Sequence, residues 1–141
     1  MDNRKFVAMV KKEAVDDVVK IIVNGLGSPP SLFTAKPNDE IGQSVATFRN
    51  KAGAEKRNQS EWFKRLNKDE QGVVQRLLEE CAELAVANLF TLIDGVGGNY
   101  EGVFEIVAID SKDRRQVINP EDTEMLHDLF SEVCEETRRN K

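Results

Sequence analysis

The 141 residues predict an α+β, mainly helical fold: a long central buried helix with flanking helices and one antiparallel β-hairpin. Three observations carry this reading. Residues 68–93 hold apolar side chains at helical spacing and then become apolar nearly all round, which a helix tolerates when it is buried on every side. Residues 103–109 are rich in β-branched and aromatic side chains, and the turn chemistry of Asp110-Ser111-Lys112-Asp113 leads into a short return strand at 116–118. The length suits a single domain, 1–141, able to bury roughly two-thirds of the surface its unfolded chain exposes.

The first helix is expected over 3–24. There Phe6, Val10, Ala14, Val18, Ile21 and Ile22 recur at three- and four-residue steps, and Val7, Val15 and Val19 widen the stripe. Gly25 offers a left-handed cap. Residues 27–58 read as an irregular, partly mobile connection, because Gly27-Ser28-Pro29-Pro30 cannot continue a helix and Pro37-Asn38-Asp39 is a second break. Within it Leu32 and Phe33 are candidate anchors, and 41–49 has the pattern of a short helix turning Ile41, Val45 and Phe48 inward. A second short helix at 60–66 would bury Trp62, Phe63 and Leu66. Asn67 then stands three residues before Glu70, the spacing of a reciprocal cap. The long helix follows and stops at Asp94-Gly95. Asn119-Pro120-Glu121-Asp122 reads as a helix start, and the last helix carries Met125, Leu126, Leu129, Phe130, Val133 and Cys134 inward.

Composition narrows the function classes. A net charge of −5 keeps the chain soluble and disfavours general nucleic-acid binding. Charge is uneven: bases dominate 49–68, and acids dominate from Glu121 onward. The plain reading is two solvated segments; the sharper one is two charged poles that steer a partner. Cys81 and Cys134 lie within apolar helical stripes and read as small buried hydrophobes. The first twelve residues are too charged for a secretory signal, and the longest apolar tract, 84–93, is half a membrane span. These features point to a reducing cytoplasm and no membrane.

Chemical signatures are sparse. His127 is the only histidine, and no Gly-x-Ser-x-Gly elbow accompanies it. The two cysteines lack metal-ligand spacing, and Glu79, Glu80 and Glu83 lack histidine partners, so no metal and no cofactor is implied. Gly95-Val96-Gly97-Gly98 leaves a helix and enters a strand, the reverse of a phosphate loop. Trp62, between Glu61 and the bases Lys64 and Arg65, suits either a core or a stacking surface.

Several stretches together resemble a family of small, uncharacterised bacterial cytoplasmic proteins. They are Pro29-Pro30, Glu61-Trp62-Phe63 with Leu66, Phe90-x-Leu92-Ile93-Asp94-Gly95-Val96, and Asn119-Pro120 with Leu126-His127-Asp128-Leu129-Phe130. The resemblance covers most of the chain, implies a bacterial, cytoplasmic protein and supplies no catalytic residue.

The leading expectation is a non-catalytic protein-interaction module, of the immunity or antitoxin kind. Its partner is expected to be another protein, met through Trp62, Lys64, Arg65, Asp94, His127 and Asp128, with homodimerisation through the hairpin edge. The alternative is a small enzyme or ligand-binding domain in which Asp94, His127 and Asp128 line a cleft near Gly97-Gly98, a reading that needs Asp94 and His127 to converge. A third is a nucleic-acid-binding regulator using the basic segment 49–68.

Overall fold

A computed structural model describes residues 1–96 and 102–140. The elements are α1 (Asn3–Val10), a π-helical stretch (Lys11–Asp16), α2 (Asp17–Gly27), α3 (Glu40–Arg65), α4 (Lys68–Ile93), β1 (Val107–Ile109), β2 (Arg115–Val117) and α5 (Leu126–Arg139). The mainly helical α+β class with one antiparallel hairpin holds. None of the helices among the described residues is long and apolar enough to cross a membrane. The chain forms two compact units, Met1–Val19 with Leu77–Lys141, and Lys20–Arg76.

In the first unit, Val7, Val15, Phe90, Ile118, Leu126, Leu129, Phe130 and Cys134 form one buried cluster. Phe90 of α4 stands at its centre, edge-on to Phe6 at 6.1 Å and to Phe130 at 5.5 Å. Such aromatic pairs add to the apolar burial itself. The N-terminal helix enters this core through one edge of the expected stripe, with Phe6 and Val10 packed against the cluster. Val7, Lys11, Val15 and Val19 are the buried positions, whereas Ala14, Val18, Ile21 and Ile22 are exposed. A pure α-helix would swing this four-residue series about 40° per step. The underwound π stretch, in which Asp17 N–H reaches Lys12 O, reduces the swing and keeps the series on one side.

The hairpin joins the same core through Ile118, with Ile106 and Ala108 packed against it. Its register pairs Val107 with Val117, Ala108 with Gln116 and Ile109 with Arg115. Asp110 closes the turn by accepting from Lys112 N–H at 2.8 Å and Arg114 N–H at 3.0 Å. Asp113 sits at φ 57°, the left-handed position of a three-residue hairpin loop. The Asp110 carboxyl is held below the usual carboxylate range, first by the Arg114 side chain and then by these backbone donors.

Asn119 does not start α5. Its side-chain NH2 donates to Phe104 O at 2.7 Å and its oxygen accepts from Ile106 N–H at 2.8 Å, so it clamps the chain entering β1. Residues 120–123 form a turn closed by Thr123, and α5 begins at Leu126. The expected inward set of this helix is buried or half-buried except Met125, which is exposed.

In the second unit the expectation of an irregular 27–58 is corrected. Residues 40–65 form one continuous helix, and the irregular stretch shrinks to 28–39. No proline interrupts it, and Asp39 caps its start through Gly42 N–H at 2.8 Å. Gly53 lowers helix propensity by about 1 kcal/mol, but Ala46, Gly53 and Ser60 recur every seventh residue and put small side chains on one face. Ala46 and Ser60 are buried there, and Ser60 Oγ donates to Leu26 O at 2.6 Å. Burying that face turns Ile41, Val45 and Phe48 outward, against expectation.

Leu32 and Phe33 are exposed rather than buried. The Phe33 backbone is held instead by the Asn50 side chain, with Phe33 N–H donating to Oδ1 at 2.8 Å and Nδ2 donating to Phe33 O at 2.9 Å, and the Arg49 guanidinium lies 4.6 Å above its ring. The reciprocal cap opening α4 is present: Asn67 N–H donates to Glu70 at 2.8 Å, and Glu70 N–H donates to Asn67 at 3.0 Å.

Candidate interaction surface

Helix α4 ends where the spacing predicts, at Ile93. Gly95 adopts φ 71°, its N–H meets Leu92 O at 3.2 Å, and Val96 N–H meets Thr91 O at 3.0 Å, a paired left-handed stop. A Cβ on Gly95 would fall 2.6 Å from Gly102 O, so glycine is required by space as well as by φ. The Gly97-Gly98 part of the glycine run lies outside the described residues.

The expectation that the second half of α4 is buried on every side is corrected. Of its residues only Phe90 is fully buried, at 2% exposure, while Leu84 is 63% exposed, Leu77 55% and Leu89 53%. At 100° per residue, Leu77, Cys81, Leu84, Ala85, Asn88 and Leu92 fall within an arc of about 100°, and all six are exposed. Phe90, Val86, Ala82 and Ile93 occupy the opposite side and pack on the core. One face of a two-sided apolar helix is therefore open. Cys81 lies on the open face and is exposed, against expectation, whereas Cys134 is buried.

Asp94 closes the helix and does a second task. Its carboxylate, 5% exposed, accepts from the His127 backbone N–H at 2.9 Å and stands 2.8 Å from His127 Nδ1. Nδ1 carries the hydrogen when it donates to this carboxylate. The residue preceding α5, Met125, has no capping side chain, so Asp94 supplies the anion that the helix start favours from a distance of 33 residues along the chain. His127 Nε2 stands 3.5 Å from Asp128. Asp94, His127 and Asp128 are thus brought together. Ser131 Oγ, one turn on, donates to the His127 backbone carbonyl at 3.0 Å rather than to the ring. An open pocket of about 370 Å³ has Asp94 in its wall beside Phe104, Asn119 and Met125; His127 is not among its described lining residues.

Trp62, Lys64 and Arg65 belong to α3 in the second unit. Trp62 is 51% exposed, not packed inward, while its neighbour Phe63 is buried. One residue is 100° of helix, so burying Phe63 turns Trp62 outward. Arg65 stands 3.9 Å from Glu61. In the basic segment Arg57 is also committed, to the backbone oxygen of Asn50.

A buried ionic network escaped the sequence reading. Lys11, 5% exposed at its side chain, places Nζ 2.5 Å from Asp16 and 3.5 Å from Glu83, and Glu83 also pairs with Arg138. Burial pulls Lys11 down, but Asp16 and Glu83 more than offset it and leave the ammonium above its ordinary value. Burial, reinforced by Glu83, pushes the Cys134 thiol up to about 11. The available signal was a lysine in the four-residue line of Val7, Val15 and Val19. The acidic face of α5 is likewise partly neutralised, because Arg4 reaches Glu132 at 3.0 Å and Glu136 at 2.6 Å. Among the described residues no group of three or more His, Cys, Asp or Glu converges to hold a metal ion.

The chain matches no family model, and no curated protein or solved structure matches it.

Proposed function

We propose that the chain is a non-catalytic protein-interaction module of a bacterial cytoplasm, acting as an immunity or antitoxin protein. The observation that supports this reading is the open apolar face of α4, with Leu84 63% exposed in the middle of a helix whose other face is core. Contiguous apolar surface of this kind marks sites of association. The net charge of −5 suits a basic target, whose encounter it would accelerate. Of the surfaces on offer, the hairpin edge named as a route to homodimers provides strands of only three residues, so α4 is the stronger candidate. Co-expression with the products of neighbouring genes tests the immunity form. A stable complex and relief of toxicity are expected; neither appearing would sink it.

One contact favours a second reading, a small ligand-binding or catalytic site: the 2.8 Å approach of His127 to Asp94. A His127→Ala variant that loses binding of a small molecule while keeping its fold would support it. Capping of the His127 backbone N–H accounts for the Asp94 carboxylate at this place without chemistry, so this reading ranks second. Nucleic acid remains the partner that the overall charge least suits.

A further inference from the structure

We infer that the α4 face pairs with a second copy of this chain, in an antiparallel, two-fold arrangement whose axis passes between Leu84 and Ala85; this rests on the interaction-module reading and puts the second copy, in place of a toxin, on α4. Three features point to self-association.

The first is area. Leu77, Leu84, Leu89 and Leu92 are all exposed, with Cys81, Ala85 and Asn88 among them. Taking roughly 100 Å² for each of the four leucines and about half that for each of the three smaller residues, the face leaves on the order of 550 Å² per copy. A pair would remove at most about 1,100 Å² from water, close to the roughly 1,000 Å² that a specific interface needs.

The second is self-complementarity. A two-fold interface must fit its own inverse. Read in opposite directions about the Leu84–Ala85 midpoint, the stripe matches itself: Leu77 meets Leu92, Cys81 meets Asn88, and Leu84 meets Ala85 of the other copy. Large side chains meet large at the ends and small at the centre, where the helices can approach. The one amide faces a thiol rather than a leucine. The third is the helix dipole, because antiparallel helices set each positive end beside a negative one. Every residue in the pairing lies on the side of α4 away from Phe90, so the core need not change.

The test uses the full chain. Light scattering measures its mass over a concentration series, beside Leu84→Glu, with circular dichroism to check the fold. A dimer that Leu84→Glu converts to a folded monomer is the expected result. In a Cys81→Ala background, Ala85→Cys should give a disulfide-linked dimer on mild oxidation, because the two positions straddle the axis. A dimer that Leu84→Glu leaves intact, or one that Ala85→Cys fails to link, overturns the pairing. A monomer that binds an apolar dye at wild type but not as Leu84→Glu overturns self-association and leaves the interaction-module reading standing. A monomer that binds no dye overturns both.

Discussion

Leu84 and Phe90 lie within two turns of each other on α4 and meet opposite fates. Phe90 stands edge-on to two other phenylalanines at 2% exposure; Leu84, equally apolar, is 63% exposed. Their difference teaches that a helix apolar all round need not be buried all round by its own chain. The inner face is fully accounted for by α1, α5 and the hairpin. The outer face is the part of the sequence that folding of one chain leaves unused.

The sharpest way to break this comparison is to truncate both residues. Phe90→Ala should lose about 3–5 kcal/mol in urea unfolding, by removing the centre of the cluster. Leu84→Ala, measured at a concentration where the chain is monomeric, should change stability by no more than about 0.5 kcal/mol. Equal losses would mean that the two faces do not differ. Next in size is Glu83→Ala, expected to cost about 1–2 kcal/mol in the same urea unfolding, because it removes a half-buried carboxylate from Arg138 and from Lys11, which keeps Asp16.

The same network has a pH signature. Lys11 is raised in the folded chain, so its contribution is complete below the unfolded lysine value of about 10.4. It is lost as pH rises through the higher folded value. Urea midpoints that stay flat from pH 9 to 12 would contradict this. The two cysteines sharpen the contrast between faces chemically. At pH 8 the exposed Cys81 should react with a thiol reagent on the order of 100-fold faster than Cys134, whose thiol titrates near 11. Mass spectrometry of the labelled peptides reads the ratio, and comparable rates would show that the Cys134 side is open.

Smaller effects are expected away from the faces. Asp94→Ala removes the remote cap of α5 and should cost about 1 kcal/mol, with faster amide exchange in the first turn of that helix. Unchanged exchange there would remove the capping account and strengthen the catalytic one. Asp113→Gly should add up to about 1 kcal/mol, because glycine adopts φ 57° without the strain of a side chain.

Much of the fold was legible because it follows from neighbours along the chain. The span of α4, its Asn67–Glu70 cap, its stop at Asp94-Gly95 and the hairpin turn are all set by residues a few positions apart. The continuity of α3 was not legible, because the polar run 53–60 carries no apolar stripe, and the small-residue face of Ala46 and Ser60 declares itself only once it is buried. Asp94 took over the cap expected of Asn119 for a similar reason. Asn119 has the right neighbours for a cap but is spent on Phe104 and Ile106, and the cap comes from Asp94 across 33 residues.

The sequence by itself determined the helical period, the Asn67–Glu70 cap and the hairpin turn, because local backbone hydrogen bonding and side-chain spacing act over a turn or two. Only the tertiary structure decided which side of α4 meets Phe6 and Phe130, that Lys11 is buried against Asp16 and Glu83, and that the stripe through Leu77, Leu84 and Leu92 stays open. Those outcomes depend on which distant surfaces compete for a given face, and a one-dimensional pattern of apolar residues does not hold that information.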